Sequence, residues 1–269
     1  MIFDENIAFN AVQKISCLSL LISCFEKLST YDKFDDSGFY SWPINSLRLY
    51  KTLLRNYWRI LTRLFAYPNL LIIFVLQAVL SIMLLSGIFS TPLNSGCLFV
   101  IVISQLLLML RSPYGNDGSD QMLQIIFTGL LISWAINTDN SKLLFFWFIS
   151  FQTCLAYLTA GVAKASASKW RNGINLTNIL STQLYGNERF LNLLKNYPAT
   201  SKYMSRILII GECCFPLGIM LSPTSAMIFL IAGFCFHLSI ALLMGLNTFF
   251  WSFIATYPAI YFLAVQRSP

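Results

Sequence analysis

Charge is scarce in this chain. Of its 269 residues only 11% are Asp, Glu, Lys or Arg, while 57% are hydrophobic and the mean hydropathy is +0.66. Soluble domains carry about 25% charged residues, so an ordinary soluble globular domain is excluded and a polytopic membrane protein is indicated. Histidine occurs once, at His237. The seven cysteines (Cys17, Cys24, Cys97, Cys154, Cys213, Cys214 and Cys235) lie in apolar segments without ligand spacing. That distribution excludes a disulfide framework or a thiolate metal site and reads as small buried hydrophobes. The acidic stretch Met1 to Asn10 lacks the basic region of a signal peptide, which predicts no cleaved leader. No internal repeat is visible, which counts against a transporter built from inverted halves. The net charge of +7 does not point to nucleic acid, because the cations cluster in two places beside apolar runs. Such clusters fit lipid headgroups and topology.

Long apolar runs are what the chain does have. Leu64 to Leu110 carries no charge at all and is long enough for two crossings at about 20 residues each, broken at Thr91-Pro92-Leu93-Asn94-Ser95. Eight membrane helices are expected in all. They are Val12–Leu28, Asn69–Phe89, Gly96–Leu110, Met122–Ile136, Leu143–Ala163, Ile207–Leu221, Ser225–Leu246 and Phe249–Val265. The predicted fold class is therefore all-α: one membrane domain over 1–269, a transmembrane bundle of about eight helices with interfacial amphipathic helices.

The interfacial helices are expected in the two basic stretches. Lys51, Arg55, Arg59 and Arg63 recur every four residues and share one helical face, with Leu53, Leu54, Tyr57, Trp58 and Leu61 around the rest. A basic amphipathic helix of that kind lies on acidic headgroups. Lys164 to Arg206 holds seven cations and one acid, Glu188, and contains short amphipathic segments at Leu176–Leu184 and Arg189–Leu194. An even number of crossings separates the two stretches, so both can be cytoplasmic with the termini outside. Asp117 and Asp120 resemble half of a calcium loop, but no closing acid follows and no metal is expected.

Ionisable groups at membrane depth are costly and are functional candidates by default. Three are present: Lys164 at the end of the fifth helix, Glu212 one turn before Pro216 in the sixth, and His237 in the middle of the seventh. Thr153, Tyr157, Gly161 and Lys164, spaced by four, four and three, fall on one helical face and could wall a pocket. Structural roles stand beside the functional ones. Lys164 can simply snorkel to the interface. Glu212 can pair with a lysine or bond the backbone freed by Pro216, and His237 can be a packing histidine.

The string Tyr157-Leu-Thr-Ala-Gly161-Val-Ala-Lys164, with Trp170 and Gly173 after it, resembles the signature helix of the HTTM superfamily. That superfamily comprises the membrane domain of vitamin K-dependent γ-glutamyl carboxylase and its bacterial relatives. Asp117-Gly-Ser-Asp120 before a helix, Glu212 with Pro216-Leu-Gly, and Phe236-His237-Leu with Met244-Gly-Leu are similar to further features of the family, from about Arg111 to Tyr261. The resemblance implies a reduced, vitamin K-like quinone as cofactor and carboxylase-like chemistry. Lys164 would be the base that deprotonates the quinol, His237 and Glu212 would assist catalysis, and Tyr157, Gly161 and Trp170 would border the cofactor. It also implies a multi-pass protein of the bacterial cell membrane, embedded in the lipid bilayer and acting on a small secreted peptide or with its processing partner.

Two departures shape these expectations. No second family histidine is present, and no counterpart of the soluble domain that holds the carboxylase's peptide substrate follows the last helix. The expected role is therefore quinol-linked base chemistry in peptide or protein maturation. The alternative is a non-enzymatic scaffold or accessory subunit in which Lys164, Glu212 and His237 form a structural network.

Overall fold

The computed structural model describes residues 4–38, 40–49, 57–87, 91–112, 117–138, 140–183 and 185–267. Among them every regular element is helical. In chain order these are α1 (Glu5–Ser29), α2 (Trp42–Leu49), α3 (Trp58–Phe65), α4 (Asn69–Ser86), α5 (Thr91–Arg111), α6 (Gly118–Ile136), α7 (Ser141–Ser166), α8 (Ser168–Arg171), α9 (Ile174–Leu180), α10 (Glu188–Asn196), α11 (Pro198–Leu221), α12 (Pro223–Met244), α13 (Asn247–Ile254) and α14 (Tyr257–Gln266), with a 3₁₀ turn at Tyr31–Phe34. Eight spans among the described residues are long and apolar enough to cross a bilayer: α1, α4, α5, α6, α7, α11, α12, and α13 with α14. Many large apolar side chains on them face outward, including Leu221, Leu242, Ile207 and Ile72. Water would not tolerate apolar surface on that scale, whereas lipid does. The protein is an integral multi-pass helical membrane protein.

The eight crossings are those expected, with shifted ends. α1 starts at Glu5 and not at Val12, because the polar Asn6 and Asn10 are carried on a helix that also buries Ala8 and Phe9. α5 starts at Thr91, inside the expected break, since Pro92 in a first turn costs no backbone bond. α4 ends at Ser86 and is closed by Gly87 in the left-handed conformation, while Phe89, its expected end, lies outside the described residues. α11 begins at Pro198, so the polar run Thr200-Ser201-Lys202 is helical too. The last crossing is split at Ala255-Thr256: Pro258, in the first turn of α14, has no N–H for the Ile254 carbonyl.

The residues form two compact units, one of 1–12 with 142–269 and one of 13–141. In the second, α5 packs on both α4 and α6. Gln77 of α4 donates from Nε2 to Ser104 Oγ of α5 at 2.8 Å, a buried polar bond between helices. Asp117 caps α6 by accepting from the backbone N–H groups of Ser119 and Asp120. Trp42 of α2 meets Trp58 and Phe65 of α3, which buries Leu61 and Phe65 and leaves Arg59 and Arg63 exposed. That is the amphipathic pattern expected; Lys51 and Arg55 lie outside the described residues.

In the first unit, Phe146 of α7 packs on Phe262 of α14 with centroids 4.9 Å apart, and Phe9 of α1 lies edge-on to Phe145 at 5.5 Å. α12 contacts α11, α13 and α14. The amphipathic segments expected between Lys164 and Arg206 appear as α9 and α10, with α8 as an additional turn. Leu184, the expected end of the first of them, lies outside the described residues.

Candidate functional site

The site belongs to the first unit and starts from Gly161 on α7. A Cβ there would stand 2.8 Å from both the backbone nitrogen and the Sγ of Cys213, and 3.0 Å from Cβ of Glu212. Only a residue without a side chain lets α7 approach α11 this closely. The approach sets the chemistry one turn further on. Lys164 Nζ lies 2.7 Å from Oε1 and 2.7 Å from Oε2 of Glu212, a forked ion pair. The Glu212 side chain is 6% exposed and that of Lys164 19%. On its other side the ammonium stands 5.5 Å from the centre of the Trp170 ring, within cation–π range.

Trp170 is fixed by the turns that follow α7. Ser205 Oγ donates to the Trp170 carbonyl, and Ser201 Oγ donates to the Gly173 carbonyl at 2.7 Å. Both serines are buried on the first turns of α11. The segment after Lys164 is thus stitched to the same helix that carries Glu212.

A second polar chain begins at Tyr157, one turn before Gly161. Its hydroxyl lies 2.8 Å from His237 Nε2 and 3.0 Å from the Tyr257 hydroxyl, which joins α7, α12 and α14. Aromatic rings hold these groups in place. Phe215 stacks on Tyr157 at 3.8 Å and Phe253 stacks on His237 at 4.6 Å. Gly233, four residues before His237, makes room for them: a Cβ there would meet the hydroxyls of Tyr257 and Tyr157. His237 is 3% exposed, and its Nδ1 has no hydrogen-bond partner among the described residues.

Lys164, Glu212, His237, Tyr157, Gly161 and Trp170, spread over 81 residues of sequence, therefore fall in two adjoining networks. Phe215, Phe253, Tyr257 and Gly233 complete them and were not singled out from the sequence. Aromatic and glycine residues are common in apolar helices, so periodicity gives them no mark. The only available signal was Gly233 on the His237 face at helical spacing.

Beside the networks lies a cavity of about 350 Å³. Tyr157, Glu212 and Ser239 are its polar lining, and Phe190, Phe215, Phe229 and Phe236 form aromatic walls. An apolar recess with few convergent polar groups is the usual form of a small-molecule site. A planar aromatic ring carrying polar oxygens fits such walls: phenyl rings for its faces, a hydroxyl and a carboxylate for its oxygens.

Comparison with protein-family models, with curated proteins and with solved structures finds no match to this chain.

Proposed function

We propose that this multi-pass membrane protein binds a reduced, vitamin K-like quinone in the cavity beside Glu212, and that the Lys164–Glu212 pair takes a proton from it. The observation that carries the reading is a largely buried ion pair, one member of which, Glu212, lines an aromatic-walled cavity. The resemblance to the HTTM superfamily supports the same assignment. A reduced quinone, when bound, supplies an acidic ring hydroxyl and a ring that oxygen can oxidise.

The chain's own groups divide the work. In the pair as found, Lys164 is an ammonium and Glu212 a carboxylate. Transfer of one proton along the 2.7 Å bond leaves a neutral amine beside a neutral acid, and the amine can then act as base. Uptake of the quinol proton leaves the pair one proton richer and one unit more positive, which balances the negative charge left in the cavity. Tyr157, held by His237 and Tyr257, lines the same cavity, and Phe190, Phe215, Phe229 and Phe236 give it apolar walls.

The resemblance to the HTTM superfamily supports the bacterial cell membrane as the setting of this activity and the modification or maturation of a small secreted peptide as its role. A second reading, a non-enzymatic scaffold or accessory subunit, is favoured by one observation: both carboxylate oxygens are already bonded to the amine, so the pair is complete without a ligand.

Lys164→Arg separates the two readings, because Arg keeps the charge and cannot serve as base. With purified protein and reduced menadione as probe, wild type is expected to bind the quinol and consume it under air faster than buffer alone does. Lys164→Arg is expected to stay folded and bind it while consumption stays at the protein-free rate. Full quinol consumption by Lys164→Arg would sink the base assignment, and no quinol binding by wild type would sink the cofactor.

A further inference from the structure

The second unit contains a cavity of its own, of about 320 Å³, that the reading above does not use. It lies where helix ends meet. Its walls include Lys27 near the end of α1, Lys33 in the 3₁₀ turn, Arg111 as the last residue of α5 and Asp120 in the first turn of α6. From that level it extends inward to Gln105 on α5, six residues before Arg111, or about 9 Å along a helix. The charged groups thus stand at the helix ends, while Leu20, Phe34, Phe74 and Leu108 line the rest together with Ser23, Gln77 and Gln105.

Arg111 is the unusual group. It is 1% exposed, and among the described residues no carboxylate pairs with it. Its Nε donates to the Phe65 carbonyl at 3.2 Å, one Nη to Ser112 Oγ at 3.2 Å and the other Nη to the Tyr40 carbonyl at 2.8 Å. The Phe34 ring lies 5.6 Å from its Cζ. A guanidinium has five N–H groups, so two remain, on a charge held rigidly in place by neutral acceptors. A buried cation without an anion is costly unless something supplies one. Gln105 adds a complementary group: its Oε1 is buried and has no donor among the described residues. Lys27 and Lys33 outnumber the local acids only with the help of Arg111, since Glu26 and Asp120 also line the walls. The balance of three cations to two acids suits a single negative charge.

We infer that this cavity binds the phosphate of a phospholipid with a hydroxylated, monoanionic headgroup, such as phosphatidylglycerol. The free N–H groups of Arg111 take the phosphate oxygens, a headgroup hydroxyl donates to Gln105 Oε1, and an acyl chain runs along Phe34 and Phe74. A free phosphate ion shares the charge chemistry but leaves the apolar wall uncovered, so the lipid is the source assigned. This inference rests on the second unit alone and stands apart from the quinol reading.

Native mass spectrometry of the full chain in a neutral detergent tests it, with phosphatidylglycerol, phosphatidylcholine and inorganic phosphate as probes. One tightly retained phosphatidylglycerol is expected, with phosphatidylcholine and inorganic phosphate at least about tenfold weaker. Losing the charged bonds in Arg111→Gln should weaken phosphatidylglycerol binding about tenfold to a hundredfold. Lys33→Glu, on an exposed turn where the fold does not depend on the side chain, should weaken it severalfold. Phosphatidylcholine or inorganic phosphate binding as tightly as phosphatidylglycerol would overturn the inference. So would wild-type affinity in Lys33→Glu, even if Arg111→Gln does not fold.

Discussion

Gly161 faces the backbone nitrogen of Cys213 so closely that a Cβ on the glycine would lie 2.8 Å from it. The thiol of Cys213, equally close, could swing away, but the backbone nitrogen cannot. Gly161→Ala must therefore push α7 and α11 apart. The displacement falls three residues from Lys164 and one residue from Glu212, so the ion pair lengthens with it. The expected cost is about 1–3 kcal/mol, the range for overpacking a close-packed interior, read as a lower melting temperature in detergent. Adding Cys213→Ala removes the thiol and leaves the nitrogen, so it should not restore stability. Full rescue by that second change would show the sulfur alone to be the obstacle.

The Lys164–Glu212 pair predicts an asymmetry between losing one partner and losing both. Lys164→Met leaves a carboxylate buried with nothing to balance it. Breaking a fully buried pair costs about 3–5 kcal/mol; with the Lys164 side chain 19% exposed, about 2–3 kcal/mol is expected here. Glu212→Gln should cost less, because the freed lysine lies at a helix end and can snorkel. The double variant Lys164→Met with Glu212→Gln should be more stable than Lys164→Met alone. Additive melting shifts across the cycle would mean that the two groups do not couple.

Tyr157 serves two partners and Tyr257 one. Removing the Tyr157 hydroxyl leaves His237 Nε2 and the Tyr257 hydroxyl unpaired, whereas removing that of Tyr257 leaves the Tyr157–His237 bond intact. At about 1–3 kcal/mol per orphaned buried group, Tyr157→Phe should lower the melting temperature more than Tyr257→Phe. Equal or reversed shifts would dissolve the proposed hierarchy.

Much of the architecture was legible in the sequence because a crossing announces itself. Runs such as Leu70 to Leu85 can hardly be anything else, and polar interruptions mark most of their ends. What misled was polarity inside helices. Asn6 and Asn10 hid the first turns of α1, and Thr200 to Lys202 hid the start of α11, because a helix reaching beyond the apolar layer carries polar residues without penalty. Lys164, Glu212, His237 and Tyr157 were legible for the opposite reason: each is a polar group in an apolar run. Their partners Phe215, Phe253 and Tyr257 were not, since an aromatic residue in a membrane helix looks the same whether it meets lipid or another ring. The contact of Tyr157 with Tyr257 joins residues 100 positions apart, which no local pattern records. Arg111 was visible only as a helix end; that it is buried beneath Tyr40 and Phe65 follows from the fold.

The order in which the chain is made gives the ion pair one more consequence. Lys164 leaves the ribosome 48 residues before Glu212. During that interval it waits at the end of α7, a position from which its long stem can reach water. Glu212, by contrast, lies in the interior of α11 and has no such escape. Because the cation is made first, its counter-charge is already part of the chain when the acid is made, and no carboxylate has to enter lipid before its partner exists. Exchanging the two residues would reverse that order.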